Sequence, residues 1–128
     1  MDKAVYSAPG IRVQKSEDGL ERSIRLEQDW LGEKYGPIRF VCESSSIERL
    51  LTFLAEKSGK PIKEIKGKDL LPAGTFEYSF QGKTWNDKGD VFKEVLTVTG
   101  EAFALLFELT TGEAKTVLTV RRKPKGNA

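Results

Sequence analysis

Ser45, followed three residues later by Glu48, opens the stretch that most constrains this fold. Ile47, Leu50, Leu51 and Leu54 recur at i, i+3, i+4 and i+7, and Gly59 closes the run. A hydroxyl and a carboxylate at that spacing form a capping box, and glycine just past the last turn is a helix stop. The pattern predicts one amphipathic helix through Lys57 with a single apolar stripe. Such a stripe must be covered, so the rest of the chain has to supply a complementary apolar surface.

The flanking sequence reads as strands. Residues 11–15 (IRVQK) are extended and lead into Ser16-Glu17-Asp18-Gly19, where Asp-Gly favours a tight hairpin turn. Beyond it Leu20, Ile24 and Leu26 alternate with Glu21, Ser23, Arg25 and Glu27, the period of a half-buried antiparallel strand. Residues 29–37 hold two glycines and a proline and read as a loop presenting Trp30 and Tyr35. Residues 38–43 return as a strand with Ile38, Phe40 and Cys42 on one face.

After the helix, Pro61 suits the first turn of a second, short helix (PIKEIK) that Gly67 ends. A helix-turn-helix is the sharper reading of residues 54–66, and a plain helical connection the one preferred, because two turns make a poor recognition helix. From Thr75 the pattern is extended throughout. Strands are expected at 75–81, 91–99, 102–110 and 115–122, with 102–110 as a central strand covered on both faces.

At 128 residues, 38% of them hydrophobic, the chain suffices for one domain. The expected architecture is an α+β single domain over residues 1–120. A curved, mostly antiparallel sheet of six to seven strands, in βββ-α-ββββ order, carries one main amphipathic helix. A basic, flexible C-terminal tail spans 121–128. No repeat, low-complexity tract or 18-residue apolar run is present, and the amino terminus lacks a secretory pattern, so no membrane partner is expected and the cytoplasm is the expected compartment.

Composition removes several chemistries. The chain has no histidine and one cysteine, Cys42, which excludes His-based triads, disulfide frameworks and the usual zinc sites. Ser44, Ser45 and Ser46 lack a nucleophile elbow, and no P-loop or EF-hand spacing occurs. Cys42 falls on the core face beside Phe40, where a thiol behaves as a small hydrophobe. No enzyme, cofactor or metal is expected, and no motif carries a resemblance to a known family.

The 21 basic and 19 acidic side chains nearly cancel, but unevenly along the chain. Residues 57–68 carry five basic and one acidic side chain, and residues 115–128 five and none, whereas residues 69–114 carry three and eight. Basic residues interleaved with aromatics suit single-stranded DNA or RNA, whose bases stack on rings while cations follow the phosphates, at roughly 1–3 kcal/mol per base. The candidate set is Arg25, Trp30, Tyr35, Arg39, Lys83, Trp85, Arg121, Arg122, Lys123 and Lys125. Phe76, Tyr78 and Phe80 share one strand face and are assigned to the core. The leading expectation is a small nucleic-acid-binding protein. The alternative is a protein-interaction module, a regulator, inhibitor or assembly subunit, docking through a sheet edge or its acidic stretch. A homodimer is a further expectation, since a long antiparallel edge invites cover by a second copy.

Overall fold

The computed structural model describes residues 4–112 and 115–124. Their order is β1 (Ala4–Ala8), β2 (Ile11–Lys15), β3 (Ile24–Trp30), β4 (Tyr35–Ser45), α1 (Ile47–Lys57), β5 (Ile62–Lys66), a 3-10 turn (Lys68–Leu70), β6 (Phe76–Phe80), α2 (Lys88–Phe103), β7 (Leu105–Thr111) and β8 (Thr116–Arg122). The class is α+β, a single mostly-sheet domain. The strands form two sheets instead of one: a five-stranded antiparallel sheet in the order β1-β2-β6-β4-β3, and a three-stranded sheet β5-β8-β7 in which β5 runs parallel to β8.

In the larger sheet Val13, Ile38, Phe40, Cys42, Phe76, Tyr78 and Phe80 are buried, with Arg12, Arg39, Glu43 and Ser79 at alternate, exposed positions. Leu50, Leu51 and Leu54 of α1 meet that inner face in one continuous core with Val91, Phe92, Val95 and Val98 of α2 and Leu118 and Val120 of β8. Phe76, Tyr78 and Phe80 are thus core residues. Each fully buried side chain of this size contributes roughly 1.5–3 kcal/mol by leaving water.

Helix α1 ends as expected, with Lys60 N–H donating to Ala55 C=O across Gly59 at φ +88°. Its start lies one residue later than the capping-box reading: Ser46 is the cap and its Oγ accepts from Arg49 N–H at 3.3 Å. Ser45 and Ser44 are buried, Ser44 Oγ donating to Leu20 C=O and lying 2.6 Å from Ser16 Oγ.

Six expectations about elements are corrected. Gly19 does turn at φ +68°, but no hairpin forms there; β2 pairs with β1 across Pro9-Gly10 and with β6, and the chain crosses to the far edge before β3. The PIKEIK segment forms strand β5, not a helix, so residues 54–66 are not a helix-turn-helix. Its few residues cannot offset helix nucleation, whereas pairing with β8 satisfies one of its edges. Residues 91–99 lie within helix α2. Val91, Phe92, Val95, Val98 and Thr99 are buried at helical spacing, although β-branched residues favour strands in isolation. Gly100, expected in a turn, lies inside this helix, at a position where a Cβ would sit 2.7 Å from Leu105 C=O as the chain doubles back through Ala104 at φ +54°. Finally, β7 is an edge strand and β8 the central one, so residues 102–110 are not covered on both sides. Strand β8 also takes in Arg121 and Arg122 of the expected tail, and Lys123 N–H donates to Ala104 C=O.

Candidate binding surface

The stripe of α1 covers the centre of the large sheet but stops short of its edge strand. On β3 the inward residues Ile24, Leu26 and Gln28 stand opposite Cys42, Phe40 and Ile38, and are only half-buried. Between them and α1 runs a groove. One stretch, about 330 Å³, is lined by Ile24, Arg25, Leu26, Gln28, Phe53, Lys57 and Lys88. The next, about 580 Å³, shares Ile24 and Phe53 and continues past Arg49, Glu48 and Glu56, so the two form one channel.

Its floor is apolar and its first stretch is cationic. Phe53 lies on the flank of the α1 stripe with the Lys57 ammonium 5.5 Å from its ring centroid, an i,i+4 pair that fixes both side chains. Lys88 opens α2, brought alongside by the packing of α1 on α2. No carboxylate lines this stretch, and among the described residues neither Lys57 nor Lys88 has an ion pair. Phe53, Lys57 and Lys88 were missed as candidates. The Phe53–Lys57 spacing was legible, but Lys88 was hidden by the reading of its segment as a loop.

At the end of β3 the chain bulges between Gln28 and Trp30, and Gln28 Nε2 donates to Gly36 C=O at 2.8 Å. Trp30 and Tyr35 face each other across the hairpin with ring centroids 4.9 Å apart and are 58% and 64% exposed. Leu31 is exposed beside them, its N–H bonded to Lys34 C=O. The neighbouring charges, Asp29, Glu33 and Lys34, are of mixed sign.

The other sequence candidates do not join this surface. Trp85 is 7% exposed: its backbone bridges Ile38 at 2.7 and 3.0 Å and its indole packs edge-on to Phe80 at 5.4 Å, closing the core. Lys83 sits over that indole and pairs with Glu94. Arg25 touches the groove at its rim but bonds Glu27 at 2.9 Å and pairs with Glu43 at 3.6 Å, and Arg39 pairs with Asp29 and Glu27. These contacts make a balanced ladder on the open face of the sheet. The hydrogen bond from Arg25 holds the Glu27 carboxyl below the usual carboxylate range. Arg121 pairs with Glu108 and Lys123 with Glu101, both on the second sheet and its helix; Arg122 is exposed, and Lys125 lies outside the described residues.

Burial pushes the Cys42 thiol up to about 12, so it stays protonated at neutral pH. Among the described residues no group of three His, Cys, Asp or Glu side chains could hold a metal ion, and no helix is long and apolar enough to cross a membrane. No protein-family model, curated protein or solved structure matches the chain.

Proposed function

We propose that this chain is a non-enzymatic protein-interaction module that takes an extended, acidic segment of a partner protein into the groove between β3 and α1. The observation that carries the reading is the cationic stretch itself: Lys57 and Lys88, free of carboxylate partners among the described residues, stand over a floor of Ile24, Leu26 and Phe53. An extended segment laid along β3 presents alternate side chains to that floor, and its carboxylates meet the two ammonium groups. Beyond the lined stretch the β3–β4 tip exposes Trp30, Leu31 and Tyr35, and a segment that runs past Gln28 meets there the kind of residue on which binding energy concentrates.

Single-stranded nucleic acid is the second reading, favoured by the same two lysines, by the half-buried ring of Phe53 and by the exposed rings of Trp30 and Tyr35. It ranks lower because Asp29 and Glu33 flank the exposed ring pair, Trp85 is buried, and the cations Arg39, Lys83, Arg121 and Lys123 are engaged by carboxylates.

Fluorescence anisotropy with two labelled probes tests both: a short peptide alternating Glu and Phe, and oligo(dT). The reading expects the peptide to bind and the Lys57→Glu/Lys88→Glu variant to weaken it by at least about tenfold, with oligo(dT) weaker and lost in moderate salt. Tight oligo(dT) binding that fails in the same variant would transfer the assignment to nucleic acid. Peptide binding indifferent to both lysines, or none at all, overturns the proposal.

A further inference from the structure

Among the described residues the two sheets leave four edges, β1, β3, β5 and β7, and they are not alike. The ladders that join β1, β3 and β5 to their neighbours each contain a register shift, at Ala4/Tyr6, Gln28/Trp30 and Ile62/Glu64. Two of these edges also carry charges, Arg25, Glu27 and Asp29 on β3 and Lys63, Glu64 and Lys66 on β5. Bulges and edge charges are the devices by which proteins prevent strand-to-strand association. Strand β7 has neither protection in kind. Its seven pairs with β8 run from Leu105↔Arg122 to Thr111↔Thr116 without interruption, it contains no proline or lysine, and Glu108 is its only charge.

We infer that β7 is a self-association edge, and that a second copy of this chain pairs with it antiparallel about a two-fold axis at Phe107. Strand pairing about an axis normal to the sheet keeps each residue on its own face, so residues whose numbers sum to twice the axial position stand opposite one another. With Phe107 on the axis, Leu105 faces Leu109 of the second copy, Phe107 faces its own counterpart, and Leu106 faces Glu108. The first row extends the apolar ladder Leu105–Phe107–Leu109 already set against Val120 and Leu118. This covers Leu109 and Leu106, which stand 39% and 45% exposed in the single chain.

The charges agree with the same symmetry. Beside the edge lies a hollow of about 460 Å³ between α2 and β7, with Leu96, Leu105 and Phe107 among its lining, Lys93 toward one end and, toward the other, Glu101 with Lys123 3.9 Å from it. These two positions are eight residues apart on α2, about 12 Å along the helix axis. A two-fold copy lays its α2 antiparallel to this one, so Lys93 of each chain approaches Glu101 of the other with Thr97 between. Lys93 of each chain therefore joins the Glu101–Lys123 pair of the other as a second cation on the carboxylate, where a parallel arrangement would set Lys93 against Lys93.

Sedimentation equilibrium on the full chain tests this. A monomer–dimer equilibrium is expected, with Leu109→Lys and Leu106→Lys each weakening it by at least about tenfold while the circular dichroism spectrum stays unchanged. Lys93→Glu and Glu101→Lys should each weaken the dimer, and the double exchange should restore it, an outcome that mere loss of folding cannot produce. Amide exchange in β7 should slow with rising protein concentration. A chain that stays monomeric at high concentration, or a dimer that persists through Leu109→Lys and the single charge reversals, overturns the inference.

Discussion

The free edges of β3 and β7 expose the same backbone groups and treat them oppositely. Strand β3 is bulged beside Trp30, bears Arg25, Glu27 and Asp29, and borders a groove whose cations come from two helices. Strand β7 is regular, nearly uncharged and borders a groove with Lys93 toward one end and the Glu101–Lys123 pair toward the other. An edge whose groove has a stretch of lysines with no carboxylate among its lining suits an unlike partner; an edge whose charges and apolar row repeat under a two-fold suits its own copy. Side-chain patterning, not hydrogen-bonding capacity, separates the two roles.

The strongest way to break the comparison is to remove the sheet that holds β7. Gly67 sits at φ +78°, and a Cβ there would run into the Val120 carbonyl oxygen of β8. Gly67→Ala is expected to cost at least about 3 kcal/mol, combining left-handed strain with a backbone clash that no side-chain rotation relieves. Chemical denaturation measures the total. Native-state amide exchange should show β5, β7 and β8 losing protection before β3 and β4.

Local signals explain what was legible beforehand. Helix α1 could be read because its apolar period, its stop at Gly59 and its length all agree, and the core role of Phe76, Tyr78 and Phe80 followed from the need to bury most of seven phenylalanines, since their shared strand face alone would equally suit a stacking platform. Helix α2 could not, because Val91, Val95, Thr97, Val98 and Thr99 have strand propensity and only burial by the rest of the fold decides for helix. Both basic tracts were visible, yet their fate was not: β5 and β8 bring them into one sheet, where Glu64 and Glu108 engage Lys115 and Arg121. The candidate groove was the least legible part, since Phe53, Lys57 and Lys88 converge only through packing of α1 on α2. Trp30 and Trp85 looked equivalent among polar neighbours; the pairing of Trp85 with Ile38 sends one of them inward.

A smaller effect sharpens the β3 side alone. Trp30→Ala removes an exposed ring whose partner is Tyr35, so the fold should change little while acidic-peptide affinity falls by about tenfold or more, as for an interface anchor. Self-association through β7 should be untouched. Equal loss of both activities would mean that the two edges are not independent.

The two indoles provide an internal gauge of the same contrast. Trp30→Phe leaves the buried Trp85, whose emission should be blue-shifted and shielded from acrylamide; Trp85→Phe leaves Trp30, red-shifted, quenchable and responsive to peptide. Trp85 Nε1 has no hydrogen-bond partner in the core, so Trp85→Phe forfeits packing without orphaning another group and should cost roughly 1–2 kcal/mol in a denaturation titration.

The smallest expected effect concerns the charge ladder on the open face beside β3. Glu27 is held below its ordinary pKa by the Arg25 hydrogen bond, with Arg39 adding to it. A carboxyl whose folded pKa is depressed stabilises the fold above its unfolded pKa, and that contribution is lost as pH falls through the folded value. Melting temperatures of the parent and Glu27→Gln should therefore differ slightly at neutral pH and converge in acid, once the pH falls below the depressed Glu27 value. Because Glu27 and both arginines are solvent-exposed, screening keeps the difference small and salt should erase it. A gap that persists at low pH would mean that Glu27 acts through packing along β3 instead of through its charge.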